Sequence, residues 1–214
     1  ANDAAAHFAP GDPEYQWLLK DLQTHPSQLK FAFSHYPFYV DNRTETSDTF
    51  LQGPANLEGL LGRYGVNVVF NGHAHVYERN RPSAAGMPIT YVTGGGGGTL
   101  EPVASCSTND AYALGWSSTS GTGSACGGAA KPAAAANVYH FLKVTVAGNQ
   151  VTVAPTDSLG RTFDVQPYTF AVPPDTYLDS APVGTISSTG ATFAFHASDS
   201  DATFSCRLDA SAAT

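Results

Sequence analysis

Two rhythms of apolar and polar positions divide the chain. Trp17, Leu18 and Leu22 recur at helical spacing within 13–25, behind Asp12 as an N-cap and Pro13 in the first turn, and predict a short helix. Residues 29–34, LKFAFS, alternate and then run apolar as a buried strand does, and Pro37 stops the run. His35 therefore stands at the carboxyl end of a strand. Leu57, Leu60, Leu61 and Tyr64 make one face of a second helix over 56–65, closed by Gly65. VNVVF at 66–70 and PITYVT at 88–93 read as further buried strands. The first leads into Asn71-Gly72-His73-Ala74-His75, the second into five glycines at 94–98. Such an α/β rhythm gathers ligands at the carboxyl ends of its strands.

From 138 onward the period changes to two. VYHFLKVTVAGNQVTVAPTD alternates on both sides of Gly148-Asn149, which predicts a hairpin, and TFDVQPYTF at 162–170 predicts a third antiparallel strand. Three prolines and no periodicity mark 172–184 as a linker between a domain at 1–171 and a β module at 185–214. About 30 residues cannot close a β-sandwich of roughly 100, so the last module is expected to be truncated. The tail from 172 holds five Asp and one Arg, a charge shift that supports a separate unit.

Composition narrows the partners. The 214 residues are 42% hydrophobic and 13% charged, enough apolar content for a core, with a formal net charge of −8. That balance gives no electrostatic attraction to nucleic acid or to an anionic membrane surface. No apolar run reaches the roughly 20 residues of a membrane span. Cys106 and Cys126 bracket a stretch rich in Ser, Gly and Thr that reads as a loop, and either form a disulfide that closes it, implying an oxidising compartment, or stay as two thiols. Cys206 is left over. The low charge and heavy use of Ser, Thr, Gly and Ala fit an exported protein. Nothing in the sequence indicates an oligomeric state.

The chemistry concentrates in three histidines. His73 and His75, one residue apart on a loop after a buried strand, can each offer a neutral ring nitrogen to a metal. An HxH pair alone is weak evidence. His35, at the end of the preceding strand, is expected beside them at the same sheet edge. Tyr36 and Tyr39 can line a pocket there or pack in the core. The glycines of 94–98 lack the Lys-Ser/Thr of a P-loop and read as a tight turn near the site. His140 and His196, in strand patterns, and His7 and His25 read as structural or exposed.

FSHYPFY and GHAHVYER, with the helix YQWLLKDL before them and TYVTGGGGG and YHFLKVTV after, resemble the carboxyl half of calcineurin-like metallophosphoesterases. The GHxHxYER pattern resembles the purple-acid-phosphatase-like subgroup over about 12–171. The resemblance implies an α+β sandwich flanked by helices and a dinuclear centre of Fe, Zn or Mn that hydrolyses a phosphate ester. It implies His35 and His73 as ligands of one metal and His75 as ligand of the other. The family's DxG and GNH motifs do not occur here, and the letters GDPEY at 11–15 open the first predicted helix rather than standing in the family's context, so the chain reads as an excerpt of a longer enzyme, inactive by itself.

The loop after His35 has no histidine to protonate a leaving group. Asp41, Arg43 and Glu45 are its candidates for substrate contact or general acid, each also readable as a solvated loop residue. Tyr77, Glu78 and Arg79 read as an internal ion pair holding the motif. The tail, TFSCRLD, resembles Ig-like repeats of bacterial exported proteins, which implies a secreted or cell-surface parent. The competing reading is a non-catalytic surface adhesion protein with a degenerate phosphoesterase-like domain. A single structural zinc on the three histidines is a third.

Overall fold

The computed structural model describes residues 9–25, 29–42, 49–171, 174–185, 187, 189–198 and 200–206. The chain divides into two compact units, Ala1–Ala171 and Val172–Thr214. In the first, α1 (Pro13–Thr24), β1 (Lys30–Ser34), α2 (Leu57–Arg63), β2 (Val66–Asn71), β3 (Tyr77–Asn80) and β4 (Ile89–Thr93) are followed by β5 (Asp110–Ser117), β6 (Thr122–Gly127), β7 (His140–Ala147), β8 (Gln150–Asp157) and β9 (Gln166–Thr169).

The strands form two sheets. The larger has the order β1-β2-β4-β3-β5-β6, parallel between β1, β2 and β4 and antiparallel beyond. The smaller is an antiparallel β7-β8-β9 meander. Strand β2 is central, so both of its faces are covered. Val68 and Phe70 meet Val151 and Val153 of the smaller sheet in one apolar cluster, while Val69 faces Tyr15, Leu22, Leu57, Leu60 and Leu61 of the helices in another. That is why VNVVF shows no alternation. In β8, by contrast, Val151 and Val153 point inward at period two, and the predicted Gly148-Asn149 turn joins β7 to β8 with Ala147 paired to Gln150.

Several expectations change. Trp17 is 69% exposed, because the inward face of α1 is set by Tyr15, Leu18, Leu19 and Leu22, an i, i+3, i+4, i+7 series from which Trp17 lies off. Strand β1 is not buried throughout: it lies at a sheet edge, and Phe33 is 77% exposed although its ring stacks on Phe70. The Ser, Gly and Thr-rich stretch between the cysteines is not a loop but carries the hairpin β5–β6. GHAHVYER likewise continues into a strand, β3. Within the expected linker, Thr176–Ser180 forms strand β10, which pairs antiparallel with β11 (Ala194–Ala197). The prolines at 174 and 182 flank β10 rather than interrupt it. Among the described residues, no helix is long and apolar enough to cross a membrane.

Candidate metal centre

The parallel pair β1–β2 ends in register, Ser34 opposite Asn71, so both chains leave the sheet at one edge. Asn71 Nδ2 ties those ends together by donating to Ser34 Oγ at 2.7 Å, Tyr36 O at 3.1 Å and Ser34 O at 3.3 Å. The amide of Gly72 donates to His35 O at 3.0 Å. These bonds bring His35 Nε2 to 3.1 Å from His73 Nδ1. The Tyr36 ring sits edge-on to both imidazoles, 5.1 Å from His35 and 4.6 Å from His73 by centroids. His73 has φ +65, in the left-handed region that costs an L-residue about 1–2 kcal/mol. Strain of this kind persists where the surroundings over-determine it and clusters at functional sites.

His75 is held from the other side. Its Nδ1 lies 2.8 Å from Thr99 O. A carbonyl only accepts, so the proton is on Nδ1 and Nε2 keeps its lone pair. The glycine run presses against this loop. A Cβ on Gly94 would lie 1.7 Å from Ala74 O, and one on Gly98, at φ +74, would lie 2.6 Å from His75 Cε1. Gly94 and Gly98 thus serve close approach of the backbone to this loop.

The donor set fits a metal. Two nitrogens bonded to one ion at about 2.1 Å and spread between about 90° and 109° stand about 3.0–3.4 Å apart. The His35–His73 separation of 3.1 Å lies in that interval. A carbonyl holding Nδ1–H, as Thr99 does for His75, is the arrangement that orients a metal-binding imidazole. No Asp or Glu among the described residues joins these histidines in a three-donor group. Such groups are Asp41–Glu78–Asp110 and Cys106–Asp110–Cys126, each with ligand atoms within 4.8 Å. The two sulfurs of the second are spent in a disulfide, with Cα atoms 5.3 Å apart.

The other sequence candidates have different surroundings. Tyr39 points its hydroxyl at the buried carboxylate of Glu58, 2.8 Å away, and burial pushes its pKa up to about 12. Asp41 accepts from Ser107 N at 2.8 Å, and its own amide donates to Glu78 Oε2 at 3.0 Å. Burial first, then the hydrogen-bonded Asp110 carboxyl, push the Asp41 pKa up to about 7. Burial pushes that of Glu78 up to about 8, against opposing hydrogen bonds from Asp41 N and Asn80. Arg43 and Glu45 lie outside the described residues.

Arg79 makes a fork of two bonds to Asp164, 2.8 and 2.7 Å, and Tyr77 donates its hydroxyl to the same carboxylate at 2.7 Å. The ion pair foreseen inside the motif is thus made with a residue 85 positions away, while Glu78 is occupied by Asp41 and Asn80. His140 is buried between Val138 O and Thr93 Oγ1, with its pKa lowered by burial. His25 pairs with Asp21 and His196 with Asp179 at the surface. Sequence reasoning missed Thr99, Glu101 and Asp164. Only their folded positions single them out, since none stands in a recognisable local pattern.

Comparison with known proteins gives this geometry a context. No family model matches the chain. A probable purple acid phosphatase of Arabidopsis thaliana, number 20 of its series, is 33% identical over 107 residues, 45% of this chain and 25% of that protein. Number 21 of the same organism is 35% identical over 98 residues, 42% of this chain and 22% of its own length. The chain therefore spans about a quarter of the length of the curated relatives it matches. Among solved structures, a purple acid phosphatase from yellow lupin (Lupinus luteus) seeds superposes with a TM-score of 0.56 at 19% identity, over 75% of this chain and 28% of that one. The anchor protein of the Plasmodium inner membrane complex superposes with a TM-score of 0.53 at 12% identity, over 73% and 42%. The second likeness shows the α+β fold shared by a protein described as an anchor. In sequence over nearly half its length and in fold over three quarters, this chain is similar to the purple acid phosphatases.

Proposed function

We propose that the chain is part of a metal-dependent phosphoric ester hydrolase of the purple-acid-phosphatase-like type, with His35 and His73 on one metal ion and His75 on a second. The observation that carries this reading is the pair of imidazole nitrogens 3.1 Å apart at the ends of two parallel strands, one of them on a strained residue. His75 Nε2, with its tautomer fixed by Thr99 O, supports the second site. Ions of Fe, Zn or Mn suit imidazole and supply Lewis acidity together with a hydroxide nucleophile. The chain's own contribution is to fix three imidazoles in orientation and to set the Tyr36 ring against two of them.

A two-metal centre needs carboxylate donors as well, and the Asp41, Glu78 and Asp110 carboxyls are engaged with one another and with main-chain amides. We infer that the remaining donors come from another part of the full-length protein. A cleft of about 720 Å³ beside His35, walled by Phe33, Phe70, Phe141, Leu142 and Val144, lies between the edge strands β1 and β7 and is where such a segment can dock. The Cys106–Cys126 disulfide supports a parent that folds in an oxidising, extracytoplasmic setting.

Full-length protein should bind two ions per chain and hydrolyse p-nitrophenyl phosphate. His35→Ala and His73→Ala should each lose one ion and at least about a hundredfold in turnover, the scale of a lost ligand. The 214-residue chain alone should be inactive. One ion per chain without hydrolysis would favour a structural zinc, and no bound ion at all would favour a non-catalytic surface protein.

A further inference from the structure

We propose that Glu101 is a positioning residue for the second metal ligand, His75, a deepening that rests on the reading of His75 as a ligand. Glu101 grips both main-chain polar groups of that histidine. Its Oε2 accepts from His75 N at 3.1 Å, and its own amide donates to His75 O at 3.1 Å. Its carbonyl accepts from Trp116 N at 2.9 Å, which fastens the grip to strand β5. Two residues earlier, Thr99 O takes the proton on His75 Nδ1. The ring and the backbone of His75 are therefore both referenced to one short segment, 98–101, and Glu101 is its fixed end.

The same carboxylate oxygen has a second task. Asn42 Nδ2 donates to Glu101 Oε2 at 2.7 Å. Asn42 belongs to the segment that leaves His35, so a single oxygen sets the separation between the loop after β1 and the loop after β2. The first of those loops carries His35, and the second carries His73 and His75. A carboxylate accepts both bonds without competing for either donor, and bonds to a charged acceptor are stronger than those to a neutral one. Truncating Glu101 frees the His75 backbone to rotate about its neighbours, which misplaces Nε2, while the His35–His73 pair keeps its own anchors at Asn71 and Gly72.

The test is a competitive chelator titration of full-length protein with Zn2+, which reads the two ions separately. Glu101→Ala should weaken one ion by about 10–100-fold, the usual cost of removing a ligand's orienting partner, and leave the other within about threefold. Glu101→Gln retains an acceptor oxygen for His75 N and should recover most of that loss. Equal weakening of both ions, or none, in Glu101→Ala overturns the proposal. Should that variant fail to fold, Glu101→Gln and Glu101→Asp decide: the first near wild type and the second selectively weakened supports the proposal, and both at wild-type affinity overturns it. His75→Ala run in parallel keeps the two readings apart. If it loses one ion while Glu101→Ala does not weaken it, the positioning role fails; if it loses none, the ligand reading beneath it fails.

Discussion

Residues 72–75 and 77–80 are neighbours in sequence and opposites in structure. In the first stretch, His73 sits at positive φ, and its Nδ1 lies 3.1 Å from Nε2 of another imidazole. In the second, Tyr77, Glu78 and Asn80 are fully buried, and Tyr77 and Arg79 converge on one carboxylate. The backbone of 77–80 is a regular strand paired on both sides, to β4 and β5. A single motif thus contains a half that presents imidazoles at the sheet edge and a half whose polar side chains, Asn80 Oδ1 apart, are bonded within the chain. The satisfied half supplies the rigidity that lets the other half be strained.

The sharpest way to break that contrast is to attack the satisfied half. Arg79→Ala leaves Asp164, whose side chain is 3% exposed, without its cation. A loss of about 3–5 kcal/mol is expected in urea unfolding of the full-length protein. A loss below about 1 kcal/mol would mean that 77–80 is no more structural than 72–75. Next in size is the disulfide. Cys106 and Cys126 close a loop of 20 residues, and opening it by Cys106→Ser with Cys126→Ser should cost about 3 kcal/mol. The bond adjoins the Ser107–Asp41 contact, so its loss should destabilise β5–β6 while the ion proposed for His35 and His73 should stay bound.

A smaller effect follows from the Asp41–Glu78–Asp110 group. The folded chain holds protons on Asp41 to about pH 7 and on Glu78 to about pH 8, whereas ordinary carboxyls release them near 3.8 and 4.5. Their contribution to stability is therefore complete only below the ordinary values of 3.8 and 4.5, shrinks as the pH rises from there, and is gone above about pH 8. His140, with a pKa lowered from 6.5, contributes the opposite slope and only below that value. Urea midpoints should fall between pH 6.5 and about 8 and level off above that, and Glu78→Gln should flatten the fall. A flat wild-type profile would refute proton sharing in the group. Smallest of all, His73→Gly should raise apo stability by up to about 1 kcal/mol through relief of its left-handed backbone, while removing one ion. A stability loss would show that the His73 ring contacts outweigh the strain.

The elements legible in the sequence are those whose signal is local. Strand β2 was visible because both faces are covered, β8 because one is, and the Gly148-Asn149 turn because two residues suffice to make it. Strand β3 was hidden inside a motif read for its chemistry, and β5 and β6 behind small polar residues that look like loop. The same limit applies at the site. His35 and Tyr36 were foreseen at a strand end and do stand beside His73, whereas Tyr39, three residues on, turns to Glu58. Nothing near Glu101 or Asp164 marked either residue.

By itself the sequence determined which residue types lie at strand ends, where the hydrophobic period changes from helical to alternating, and that three imidazoles were available in a metal-ligand pattern. The tertiary structure alone decided which of them meet, that Arg79 finds Asp164 across 85 positions, and that Phe33 ends on an open edge. The reason is one of range. Periodicity and turn chemistry act between residues a few positions apart, while sheet order and buried polar pairing are settled only when distant segments compete for the same surface.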